Sequence, residues 1–140
     1  MDMELLEQEI SKIEASIDEY DEVDTVVMAD SIQAIGEAGY KLEAIEPLLQ
    51  LLERHPAAYF GAPGEIVHFI EGVGEGYEKY LLASVKRKPT VTTTWMINRC
   101  INAGEDKETL IAALKEIIKR EDADPYIKER AQEYIDYQTS

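Results

Sequence analysis

Apolar residues recur at steps of three and four along almost the whole chain, and glycine or proline interrupts the pattern at short intervals. That spacing is the signature of helices with one buried face. No stretch keeps the period-two alternation of a half-buried strand, and the apolar windows are too long for strands, so the pattern predicts an all-α fold. About eight short helices follow from the punctuation.

Leu6, Ile10, Ile13 and Ile17 form one stripe and predict a first helix from about Met3 to Glu19 with a solvated acidic back. Asp24 is an N-cap candidate for a second helix through Met28, Ile32 and Ile35 to Gly39. Leu42, Ile45, Leu48, Leu49 and Leu52 define a third, ending at His55-Pro56, in which Pro47 either kinks the helix or marks its first turn. After the turn-rich stretch Ala57 to Pro63, a fourth starts beside Pro63 and runs through Ile66, Phe69, Ile70 and Val73. Gly72, Gly74 and Gly76 break it.

A fifth helix covers Glu78 to Lys86 and stops before Lys88-Pro89, because a residue preceding proline is disfavoured in helix. Thr90 can cap a sixth, containing Trp95, Ile97, Cys100 and Ile101 and closing at Gly104. The seventh, about Lys107 to Arg120, aligns Leu110, Leu114, Ile117 and Ile118. Asp124-Pro125 opens the eighth, with Ile127, Ala131, Tyr134 and Ile135 inward.

The chain also repeats itself. Ile35-Gly36-Glu37-Ala38-Gly39-Tyr40 returns one residue shorter as Val73-Gly74-Glu75-Gly76-Tyr77, and each copy leads into an apolar helix ending at Arg54-His55-Pro56 or Arg87-Lys88-Pro89. Gly104 and Asp124-Pro125 mark two more divergent units.

The segment Ala29 to Glu53, ADSIQAIGEAGYKLEAIEPLLQLLE, resembles a HEAT-type repeat, and the run Asp124 to Ala131 resembles the start of another. The resemblance implies one domain over residues 1–140, a right-handed α-solenoid of stacked antiparallel helix pairs with helices two, four, six and eight on its concave side. Units of this kind cannot bury their faces singly, so about four must stack. A second resemblance spans Gly61 to Gly104. Its pieces Pro63-Gly64-x-x-Val67-His68-Phe69-x-Glu71, Arg87-x-Pro89-Thr90 and Trp95-Met96-x-Asn98-Arg99-x-x-Asn102 are similar to small bacterial helical proteins grouped with immunity proteins of polymorphic toxin systems.

Catalytic and metal chemistry finds little support. Glu65-x-x-His68 has the spacing used in helical di-iron sites, which need a second copy and further carboxylates, and only one copy is present. Gly72-Val73-Gly74-Glu75-Gly76 follows a helix rather than a strand, so it reads as a repeat turn and not a phosphate loop. Cys100, the single cysteine, excludes an intramolecular disulfide or a multi-cysteine cluster, and shares an apolar face with Ile97 and Ile101 as a buried thiol would. The expectation is a non-enzyme without cofactor or metal.

Charge is more informative. With 29 acidic against 14 basic residues among 140, the net charge is −15, while the 45% apolar share suffices for a core. Nucleic acid is thereby disfavoured and basic partners are favoured. The charge is polarised, at −9 over residues 1–24, −6 over 25–85, +4 over 86–104 and −4 over 105–140. The cationic run Lys86-Arg87-Lys88 reads as neutralising a helix C-terminus.

Tyr20 within Asp18-Glu19-Tyr20-Asp21-Glu22 is an aromatic anchor ringed by carboxylates, suited to a cationic protein surface; the plain alternative is a solvated, solubilising face. Trp95, Asn98 and Asn102 share a second face of helix six. On a concave wall they would stand near His68 and Glu71 of helix four and Gln33 and Glu37 of helix two, although Trp95 could equally pack into the next repeat.

The N-terminus lacks a signal-peptide pattern and no apolar run reaches the length of a membrane span, so a soluble cytoplasmic protein, monomeric or weakly self-associating, is expected. The function expected is binding and neutralisation of a cognate basic toxin domain, with no nucleic-acid or membrane partner. The alternative is a HEAT-like scaffold or adaptor holding a peptide or host protein on its concave face.

Overall fold

A computed structural model describes residues 3–61, 64–74 and 76–140 and contains eight helices: α1 (Glu4–Ala15), α2 (Thr25–Glu37), α3 (Leu42–Arg54), α4 (Glu65–Gly72), α5 (Tyr77–Arg87), α6 (Val91–Asn102), α7 (Lys107–Lys119) and α8 (Pro125–Thr139). The all-helical expectation and the helix count therefore hold, with no strand among the described residues. Pro63 and Glu75, which the sequence pattern assigns to the start of the fourth helix and to the repeat turn, lie outside the described residues. Among the described residues no helix is long and apolar enough to cross a membrane.

Local chemistry sets most boundaries. The Asp24 carboxylate accepts from Val26 N at 3.0 Å and Val27 N at 3.1 Å, satisfying two amides that the helix cannot. Thr90 and Thr93 form a reciprocal capping box, and Asp106 and Asp124 cap α7 and α8 in the same way as Asp24. The first helix is shorter than its apolar stripe suggests. It ends at Ala15, because Ser16 Oγ donates to Ile13 O at 2.7 Å and the Asp18 side chain organises a turn immediately afterwards. Pro47 is the sixth residue of α3 and so sits inside the helix, not in its first turn.

The helices pack in rows. Contacts run from α1 to α3, α3 to α5 and α5 to α7, while α2 lies on α4 and α6 on α8; α1–α2, α5–α6 and α7–α8 pack as sequence neighbours. A single apolar core runs through them. Leu48, Leu81 and Leu114, at intervals of 33 residues on α3, α5 and α7, are all fully buried. Each is worth roughly 2–3 kcal/mol by its transfer from water.

The same interval links Arg54, Arg87 and Arg120, each at the C-terminal end of its helix. Arg54 reaches back to Glu14 on α1 through Nε at 2.9 Å and Nη2 at 3.0 Å. Arg87 reaches back to Glu46 and Glu53 on α3, and Arg120 to the carbonyls of Lys86 and Arg87 at the end of α5. At the opposite helix ends, Gly39 (φ 90°) and Gly76 (φ 104°) make left-handed turns that deliver Tyr40 and Tyr77 into the core, so the repeated glycine-tyrosine motif does the same structural job twice.

Candidate functional site

The acidic segment between α1 and α2 is an ordered turn. Asp18 Oδ1 accepts from Tyr20 N at 2.8 Å and Glu22 N at 3.1 Å, and Asp18 N donates to Glu22 O at 3.0 Å. Asp21 adopts a left-handed conformation (φ 60°), which aspartate tolerates better than most residues. A second loop is pinned to the first, since Tyr59 N donates to Asp21 O at 3.3 Å and Glu22 pairs with Tyr59 in an isolated parallel bridge.

The sequence-predicted residues Glu19, Tyr20, Asp21 and Glu22 are accordingly together and exposed, and the fold adds Tyr59 beside them. Tyr20 is 75% and Tyr59 61% exposed, an unusual outlay for two large aromatic rings. Sequence reasoning missed Tyr59 because its neighbour is about forty residues earlier in the chain; its only local signal is an aromatic residue in a turn-rich segment.

The second predicted surface is divided. On α2, Gln33 Nε2 donates to Glu37 Oε1 at 2.8 Å, both residues being exposed. A Cβ at Gly36 would lie 4.0 Å from Phe69 Cε2, so α2 and α4 approach closely there, with His68 exposed on the same short helix as Phe69. Glu71, one turn on from His68, takes both Nε (2.7 Å) and Nη2 (2.8 Å) of Arg99 on α6. Arg99 also lies over the Trp95 ring, 4.9 Å from its centroid.

Trp95, Asn98 and Asn102 are all engaged within the molecule, and of the three only Asn102 is exposed. Trp95 is partly buried against the core beneath Arg99, and Gln138 Nε2 of α8 donates to the amide oxygens of Asn98 and Asn102, at 2.8 Å each. The reason is that α8 packs on α6, so Gln138 meets the polar face of α6 and leaves only its edge open. What stays open is a shallow groove of about 450 Å³ lined by Glu71, Tyr77, Arg99, Asn102 and Ala103. Arg99, Tyr77 and Gln138 were not legible as site residues. Their partners lie 28, 23 and 36 to 40 residues away in sequence.

Beneath this groove the Tyr77 hydroxyl and Cys100 Sγ stand 3.4 Å apart in the core. Burial pushes both groups up from their ordinary pKa values, so each stays protonated at neutral pH and Cys100 has no thiolate to offer as a nucleophile. The Glu65 and His68 side chains are exposed, and among the described residues no group of three or more His, Cys, Asp or Glu residues could hold a metal ion. The two surfaces are a carboxylate-rich edge with protruding aromatics and a groove with a ready-formed ion pair.

No protein-family model, curated protein or solved structure matches the chain.

Proposed function

We propose that the protein is a non-enzymatic binding module, a HEAT-like α-solenoid that acts in the cytoplasm as an immunity protein and neutralises a cognate basic toxin domain by covering its functional surface. The observation that carries this reading is the acidic edge. Tyr20 and Tyr59 project from two cross-linked loops, and Asp18, Glu19, Asp21 and Glu22 flank them. Aromatic rings supply contact area at small entropic cost, while the carboxylates meet cations on the partner and exclude competitors of like charge. A net charge of −15 accelerates encounter with a basic protein and keeps the free module soluble. The solenoid assignment is supported by the alternating rows of helices, the twice-used glycine-tyrosine turn and the backward-reaching arginines.

The test is to search the genes beside this one for a toxic domain and to co-express it with the protein, scoring cell survival and co-purification of the two chains; no neighbouring toxin, or no protection, would overturn the immunity reading. Survival with a stoichiometric complex that Tyr20→Ala/Tyr59→Ala or charge reversal at Glu19, Asp21 and Glu22 destroys is the expected result. An association rate independent of salt would remove the electrostatic part of the proposal. A second reading, an adaptor that holds a peptide, is favoured by the groove at Glu71 and Arg99. It would take precedence if edge variants bound normally while Glu71→Ala and Arg99→Ala variants did not.

A further inference from the structure

The junction between α5 and α7 departs from the one before it. At the α3–α5 junction, Arg87 is held by Glu46 and Glu53 of α3. Thirty-three residues further on, the positions of those two carboxylates are occupied by Lys79 and Lys86 of α5. Arg120 therefore finds no acid on α5; it bonds instead to the Lys86 and Arg87 carbonyls and pairs with its neighbour Asp122 at 2.8 Å. Among the described residues no ion pair bridges the cleft between the two helices.

That cleft is an open groove of about 580 Å³. Its floor is aliphatic, with Leu82 and Val85 from α5 and Ala112, Ala113 and Ile117 from α7, and its polar lining holds Lys86 and Arg120 against the single carboxylate of Glu116. The two alanines keep the floor shallow enough for another backbone to come close. Ala112 and Ile111 also line an adjoining depression with Lys107, Lys115 and Glu108, so the apolar surface continues across α7 between charged rims. Lys86, Lys107 and Lys115 are exposed, and their ammonium groups have no hydrogen bond or ion pair among the described residues. Residues 86–88 and 107–120 together hold seven basic and two acidic groups in a chain whose net charge is −15.

We infer that the α5–α7 cleft docks an acidic amphipathic helix of a partner protein, whose carboxylates take the place that Glu46 and Glu53 fill one junction earlier. The fit follows from charge complementarity with the free lysines and from the helix-in-groove mode, in which apolar side chains at i, i+3 or i+4 and i+7 enter a cleft between two helices. The inference is independent of the acidic edge, which such a helix would avoid by like-charge repulsion.

The probe is a synthetic helical peptide of about 18 residues with leucine at those positions and glutamate on the flanks, titrated into the isotope-labelled full chain; a second peptide carries lysine for every glutamate. Backbone amide shifts should move at Leu82, Val85, Ala112, Ala113 and Ile117 with the acidic peptide only. Lys86→Glu/Lys115→Glu, with its folding checked by thermal unfolding, should weaken binding by about tenfold or more, and added salt should weaken it in the wild type. Absence of shifts at millimolar peptide, equal binding of the lysine peptide, unchanged affinity in the reversed variant, or shifts centred on Tyr20 and Tyr59 would each overturn the inference. So would the same amides shifting with protein concentration alone, which would give the groove to a second copy of the chain.

Discussion

Truncating Arg87 to alanine tests whether the row of odd-numbered helices is held by its backward-reaching arginines or by apolar packing alone. The Glu53 carboxylate is only 13% exposed and receives Arg87 Nη2 at 2.7 Å and Nε at 3.1 Å, as well as the buried Ser84 hydroxyl at 2.7 Å. In Arg87→Ala it keeps the serine and loses the cation. Removing one partner of a fully buried pair costs about 3–5 kcal/mol, whereas an exposed pair is worth about 0–1 kcal/mol. Arg87 is 40% exposed and Glu46 33%, so water replaces part of what is lost and the expected cost is about 2 kcal/mol.

Urea unfolding followed by circular dichroism reads this directly. With a slope of about 2 kcal/mol/M, the midpoint should fall by about 1 M. The partner variant Glu53→Gln supplies a cycle, and Arg87→Ala should cost about 1 kcal/mol less in that background than in the wild type. Lys119→Ala is the control, because its ion pair with Glu116 is 3.5 Å long and both side chains are 73% exposed, so its loss should be within error. A shift below about 0.3 M for Arg87→Ala, or strict additivity with Glu53→Gln, would refute the reasoning and leave packing as the sole cement of the row.

Further outcomes follow from the same structure. Leu81→Ala and Leu114→Ala, both at fully buried sites, should each cost about 3 kcal/mol by calorimetry or urea unfolding, and a loss under about 1 kcal/mol would mean that the sites collapse without a cavity. Gly76→Ala has room for its Cβ, 3.9 Å from Leu42 Cδ2, yet must adopt φ 104° and should lose about 1–2 kcal/mol; Gly72→Ala, in α4 with open space around it, should gain a few tenths, and the same sign for both would contradict the turn assignment. Cys100, 1% exposed and protonated at neutral pH, should resist a thiol reagent in the native protein and react at once in urea; rapid native labelling would show that the core around Tyr77 opens.

The same α1 helix carries an acid-sensitive pair. The Lys12 ammonium holds Glu9 below the usual glutamate pKa, and the Arg54 guanidinium, with His55, does so for Glu14. Folded values lower than unfolded ones mean that this stability is complete above roughly pH 5 and is lost as pH falls through the folded values. Glu14→Gln should therefore flatten the decline of stability on acidification, and an unchanged slope would exclude Glu14 from it.

Helix number and the main caps were legible because both are written over a few neighbouring residues: Asp24, Thr90 and Asp124 bond amides two or three positions ahead, and the apolar stripe shows the buried face. The end of α1 was not, since Ile17 continues the stripe while the Asp18 turn breaks the helix. For the candidate surfaces the division is sharper. The crowding of Glu19, Tyr20, Asp21 and Glu22 is a property of consecutive residues, and folding preserved it. Tyr59 joining them, Trp95 lying under Arg99, Asn98 and Asn102 turning to Gln138, and the cleft left open between α5 and α7 all depend on which helices become neighbours. The sequence by itself determined that this chain would be helical, acidic and cored by one face of each helix, because propensity, capping and charge act over a turn or less. Tertiary structure alone decided which polar groups were spent on one another and which were left exposed, because that depends on side chains brought together across tens of residues.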